Sequence, residues 1–202
     1  LHLCSHNLET INNTTSMTKH DLLAEVCMAA KYEGETLTRY HPQYQGTNPD
    51  SQICTVLARS FADIGDIVRG RDLYFGNSKE KKQRDDLEKN LKEIFKNIYN
   101  ELTSTNGKKG AKEYYQDENG GNYYKLREDW WTANRETVWK ALTCEAYGTY
   151  FRATCSDGNS PSQAKDKCSC PKTSGGKAIK AGGNGDVTIV PTYFDYVPQY
   201  LR

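Results

Sequence analysis

The 202 residues, 22.9 kDa, fit one domain of ordinary size built around one core. Hydrophobic residues make up only 36% of the chain, 14 residues are Tyr, and the mean hydropathy is -0.84, so the interior is thin, partly built from side chains with a polar end, and no stretch suits a membrane span. Lys and Arg number 27 against 26 Asp and Glu, which excludes a global field driving the chain onto nucleic acid or anionic lipid and leaves local clustering to carry any electrostatic function.

The N-terminus lacks the charged and apolar regions of a signal peptide, and the chain reads as a fragment running from Leu1 to Arg202. His2, Cys4 and His6 alternate and make the best metal candidate, but the spacing fits a chain terminus beside a disulfide half better, so no metal site is assigned. Thr18 and Asp21 form a capping box that opens a helix reaching about Tyr32, with Met17 as a staple on Leu22. Leu22, Leu23, Val26 and Ala30 make its apolar face, and Gly34 is its stop. The polar stretch from Thr36 to Pro49 reads as a loop.

A second helix is expected from about Pro49 to Val68, with Ile53, Val56, Leu57, Phe61, Ile64 and Ile67 or Val68 inward and Cys54 placed to staple it to a later element. A third, roughly Lys79 to Leu102, carries Leu87, Leu91, Ile94, Phe95, Ile98 and Leu102 on one face and charge on the other. Residues 103–122, rich in glycine and lysine, read as a mobile basic loop. A fourth helix from about Tyr123 to Tyr147 turns Leu126, Trp130, Ala133, Val138, Ala141 and Leu142 inward, with Trp131 and Trp139 flanking and Gly148 as terminator. The stretch 156–186 is an exposed polar insertion, long enough to require a function or a disulfide tether. Val187 to Val190 suits extended chain, and Pro191 to Arg202 reads as the start of a further helix.

Seven cysteines at wide, irregular spacing point to an oxidising compartment; Cys27, Cys54, Cys144, Cys155, Cys168 and Cys170 are the disulfide candidates, and Cys4 is the expected odd one. The spacing of Cys168 and Cys170 is not that of a redox or zinc pair. Asn12 and Asn13 each satisfy the N-glycosylation pattern. No phosphate-binding loop is present, since Pro171 stands where the glycine before Gly176-Lys177 would be needed. All four histidines precede residue 42, no serine lies in a nucleophile-elbow motif, and the adjacent acids Asp85-Asp86 and Glu128-Asp129 read as solvated pairs. Neither catalysis nor a cofactor has support.

Positive charge is more informative. Lys79, Lys81, Lys82, Arg84, Lys89, Lys92 and Lys96 on the third helix, with Lys108, Lys109 and Lys112 from the next loop, form a candidate site for a sulfate- or phosphate-bearing polymer. The alternative is a solubilising face in which Glu88 supports Lys92 and Lys89 supports Glu93. Tyr114, Tyr115, Tyr123, Tyr124, Trp130 and Trp131 are a second candidate recognition cluster, with Trp130 assigned to the core.

Several strings coincide with one family: Leu1-His2-Leu3-Cys4, Leu23-Ala24-Glu25-Val26-Cys27, the run from Ala58 to Leu73 (ARSFADIGDIVRGRDL), Arg127-Glu128-Asp129-Trp130-Trp131, Val138 to Cys144, and Val197 to Arg202. The chain resembles a Duffy-binding-like domain of the alpha class, from the erythrocyte membrane protein 1 of Plasmodium falciparum. The resemblance implies an all-α, disulfide-stapled helical bundle with long loops, here a partial domain comprising the end of subdomain 1 and most of subdomain 2. It implies a non-enzymatic adhesion module displayed outside the infected erythrocyte on a membrane-anchored parent protein, and exposed to host antibodies. The alpha class is associated with rosetting through sulfated glycans such as heparan sulfate, complement receptor 1 or blood-group sugars, and a structural spacer is a further alternative. It also implies that Cys54 is joined to a downstream cysteine, with Cys144 or Cys155 as partner. The recognisable strings are assigned to folding, and 74–84, 103–122 and 156–186 to specificity.

Overall fold

The computed structural model describes residues 18–72, 78–102, 110–116, 120–146, 148, 155–156, 161–162, 167–170 and 190–202. Five α-helices follow in order: α1 (Lys19–Gln45), α2 (Ile53–Arg69), α3 (Ser78–Glu101), α4 (Gly110–Tyr114) and α5 (Tyr124–Leu142). A two-residue antiparallel pair, β1 (Cys155–Ser156) with β2 (Pro161–Ser162), and two 3-10 turns at Phe194–Tyr196 and Gln199–Leu201 complete the described elements. The expected helical, disulfide-stapled class is the observed one. Where further helix was expected after Pro191, the chain makes only the 3-10 turns.

The capping box at the start of α1 forms as expected: the Thr18 amide donates to Asp21 Oδ2 at 2.8 Å, and the Asp21 amide donates to Thr18 Oγ1 at 3.4 Å. The staple residue Met17 lies outside the described residues. Contrary to the expected stop, α1 runs through Gly34 and on to Gln45, with Pro42 in its last turn. Gly34 serves close packing rather than termination, because a Cβ there would lie 1.8 Å from the Leu142 carbonyl oxygen. Helix α2 begins at Ile53, four residues later than expected, after a turn through Pro49.

The chain divides into two compact units, residues 1–29 with 64–134, and residues 30–63 with 135–202. In the first, Leu87, Leu91, Ile94, Phe95 and Ile98 of α3 are buried as their spacing predicts. Phe95 meets Trp130 edge-on at 6.1 Å. Trp131, expected to flank, is fully buried instead, and it packs against Gly65, where a Cβ would come within 2.8 Å of its ring.

Arg127 is the polar centre of that unit. Its Nε donates to the Val68 carbonyl at 2.6 Å and its Nη2 to the Ile67 carbonyl at 3.1 Å, which also accepts from the Gly70 amide, so the guanidinium caps the end of α2. Both Nη groups also bind Glu88 of α3 at 2.8 Å. Gly70 turns the chain beneath this guanidinium at φ +70°, and a Cβ there would lie 2.8 Å from Arg127 Nη1.

In the second unit, Phe61 packs edge-on against Trp139 at 5.1 Å, and the buried Ser60 hydroxyl donates to Glu33 at 2.9 Å. Trp139, also expected to flank, is fully buried and donates its indole N–H to the Cys168 carbonyl at 3.1 Å. Ala133, expected inward, is exposed. Gly148 ends no helix, since α5 stops at Leu142; the space it leaves is filled by Ile53 and Cys54. Arg135 holds Asp195 through two 2.8 Å bonds, and Arg202 reaches Asp63 at 2.8 Å.

Cys54 is bonded to Cys168, across a sequence separation of 114 residues, and not to Cys144 or Cys155. The Trp139–Cys168 hydrogen bond holds the backbone of 168 against α5 beside this disulfide. Cys170 is also disulfide-bonded, and Cys168 and Cys170 are buried, so this part of the 156–186 stretch is tethered. Cys27 and Cys144, both disulfide candidates, are free and half-buried. Burial pushes the Cys27 thiol up. Cys4 and the side chain of Cys155 lie outside the described residues.

Candidate functional site

Helix α3 sorts its side chains by period. At about 100° per residue, Lys81, Lys82, Lys89, Lys92 and Lys96 fall in a sector of about 100°, opposite the buried Leu87, Leu91, Ile94 and Ile98. From Lys81 to Lys96 this stripe rises about 22 Å along the helix. Lys81, Lys82, Lys89 and Lys96 are exposed and Lys92 is half-buried. Lys79 lies outside the sector. Arg84 turns the other way, half-buried and 3.5 Å from Asp72, so the helix does not bring these two into the stripe.

Acidic neighbours neutralise the stripe only in part. Glu88, already gripped by Arg127, lies 3.9 Å from Lys92, and Glu93 lies 3.6 Å from Lys96. The expected Lys89–Glu93 pair does not form: Glu93 pairs with Lys96, and Lys82 and Lys89 make no ion pair among the described residues. Exposed pairs of this kind contribute about 0 to 1 kcal/mol, so a polyanion displaces them at small cost.

Part of the expected basic loop is helical. α4 has no buried residue and is held by tyrosines rather than by an apolar face. Tyr99 of α3 donates its hydroxyl to the Lys112 carbonyl at 3.2 Å, and the Lys112 ammonium lies 6.0 Å from the Tyr99 ring. Lys125 sits 3.2 Å over the Tyr114 ring, and the Tyr115 hydroxyl donates to Asp129 at 2.8 Å. Burial and this carboxylate push the Tyr115 phenol up to about 12. Lys112 is therefore fixed beside the C-terminal end of α3; Lys108 and Lys109 lie outside the described residues. Of the aromatic cluster, Trp130 and Trp131 belong to the core, whereas Tyr114 and Tyr124 are exposed.

A cavity of about 280 Å³ beside the stripe is lined by Ile67, Asp72, Lys81, Arg84, Asp85, Glu88, Lys92 and Tyr124, a mixture of signs with no nucleophile–base pair. Glu128 and Asp129 are not the solvated pair that adjacency suggested: Glu128 binds Arg71 at 2.8 Å, and Asp129 accepts from Tyr115. Among the described residues no three ligand-type side chains cluster as a metal site would require, and no helix is long and apolar enough to cross a membrane. His2, Cys4 and His6 lie outside them.

The Duffy binding domain model matches residues 1–202, and the chain belongs to that family. Its solved relatives include modules of P. falciparum membrane protein 1. The NTS-DBL1(alpha-1) domain of the varO strain is 42% identical, with a TM-score of 0.69, covering 99% of this chain and 40% of that one. The varO NTS-DBL1-alpha and CIDR-gamma double domain is also 42% identical, with a TM-score of 0.70, covering 99% of this chain and 25% of that one. A DBLb domain of the same protein class, solved bound to human ICAM-1, is 28% identical, with a TM-score of 0.61, covering 99% of this chain and 36% of that one. A comparison with curated proteins finds no match. The chain thus spans less than half the length of the solved relatives it matches.

Proposed function

We propose that the chain is part of a host-receptor-binding adhesion module that grips a sulfated glycan of the heparan sulfate class through Lys81, Lys82, Lys89, Lys92, Lys96 and Lys112. The observation that carries this reading is the placement of five α3 lysines in one sector opposite the core, with Lys112 docked at its end. Ammonium groups about 1.5 Å per residue apart along a rigid helix meet a regularly charged polymer without the entropy cost of ordering a loop. Family membership supports adhesion over catalysis; the proposal extends this to display outside the infected erythrocyte as one partial domain of a longer membrane-anchored protein, a role in rosetting, and exposure to host antibodies.

A protein receptor is the second reading, favoured by the solved DBLb domain bound to human ICAM-1 and by the exposed Tyr114 and Tyr124. The two separate on salt. Binding to a panel of sulfated glycans and host receptor proteins at two salt concentrations should show glycan affinity falling steeply as salt rises. Salt-indifferent binding to a protein alone would favour the second reading.

A further inference from the structure

Helix α4 has only five residues and buries none of them, so its own propensity and packing are too weak to hold it in place. It is nevertheless anchored at both of its neighbours. Toward α3, the Tyr99 hydroxyl binds the Lys112 carbonyl; toward α5, Tyr114 and Tyr115 take Lys125 and Asp129, which stand one turn apart. Tyr99 lies two turns beyond Lys92 and three residues beyond Lys96, along the edge of the cationic sector. The anchors therefore place the Lys112 ammonium where the stripe would otherwise end.

Resting on the glycan reading above, we propose that Tyr115 and Tyr99 are positioning residues for polyanion binding: their hydroxyl contacts lock α4 so that Lys112 acts as the terminal cation of the α3 stripe. Neither tyrosine carries charge to the ligand. They act by removing the freedom of Lys112, which would otherwise have to be ordered when the polymer binds.

The experiment measures the affinity of the whole chain for heparin as a function of salt in wild type, Lys112→Ala, Tyr115→Phe, Tyr99→Phe and the Lys112→Ala/Tyr115→Phe double variant. Tyr→Phe changes no charge, so nonspecific attraction is untouched. Lys112→Ala should flatten the log–log salt slope by about one counterion. Tyr115→Phe and Tyr99→Phe should each weaken binding two- to fivefold, and Tyr115→Phe should have no further effect once Lys112 is alanine. An undiminished Tyr115→Phe effect in the Lys112→Ala background, or wild-type affinity in both Tyr→Phe variants while Lys112→Ala is weakened, overturns the positioning role and leaves the stripe standing. Absence of heparin binding by the wild type overturns the glycan reading itself.

Discussion

Arg127 and Glu88 face each other in a two-pronged ion pair, with both guanidinium Nη groups 2.8 Å from the carboxylate oxygens. The same guanidinium binds two carbonyls at the end of α2. Through this one side chain, α2, α3 and α5 are fixed within their unit, and with them the rotation of α3 that turns its lysines outward.

Replacing Arg127 should therefore be costly. Arg127→Met fills the volume but leaves the Val68 carbonyl without its donor and Glu88 with only the distant Lys92, and the expected loss is about 3 kcal/mol. Urea unfolding should show the midpoint falling with little change of slope. A wild-type midpoint would mean that packing of the aliphatic stem, and not the polar fork, holds the three helices.

The glycines rank by what they approach. Gly34→Ala drives a Cβ into the backbone of Leu142 at 1.8 Å, whereas Gly65→Ala meets the Trp131 side chain at 2.8 Å. Backbone yields less readily than a side chain. Thermal unfolding should show Gly34→Ala as the more damaging by about 1 to 3 kcal/mol; equal melting temperatures would refute the ranking.

The Cys54–Cys168 bond closes a 114-residue separation, which the chain-entropy model values at about 5 kcal/mol, with about 2 to 5 typical on removal. The Cys54→Ser/Cys168→Ser variant should unfold at markedly lower urea. Cys27, whose thiol burial pushes up, should alkylate slowly at neutral pH in the folded chain, and rapidly once unfolded. Time-resolved mass spectrometry of alkylation checks both states.

Tyr115 should titrate late. Its phenol, raised to about 12 by burial and by Asp129, stays protonated in the folded chain when an ordinary tyrosine near 10 has ionised. The associated stability is fully present below pH 10 and is lost as pH rises through about 12. An ultraviolet titration should contain one late phenol that vanishes in Tyr115→Phe; identical curves for the two proteins would remove the Asp129 contact.

Helix α3 was legible because one apolar series, Leu87 to Ile98, fixes its inward face and with it the outward lysines. The capping box of Thr18 and Asp21 was legible for the same local reason. Gly34 misled because glycine at a stop and glycine at a close approach look alike in sequence; only Leu142, more than 100 residues away, distinguishes them. Trp131 and Trp139 read as flanking in sequence because α5 is buried on more than one side, which blurs a single-face period. α4 carries no apolar period at all, and its tyrosine anchors depend on partners in two other helices. The cysteine pairing was illegible because spacing along the chain does not report which distant cysteine packing brings to Cys54.

The central claim is that position, and not net charge, makes the lysine stripe a binding surface. Its most direct test is calorimetric titration of a heparin oligosaccharide into two triple variants with the same change in charge, Lys82→Glu/Lys89→Glu/Lys96→Glu on α3 and Lys19→Glu/Lys31→Glu/Lys140→Glu on α1 and α5. The α3 variant should lose at least tenfold in affinity while the other stays within about twofold of wild type. Equal losses in both, or none in either, would contradict the account.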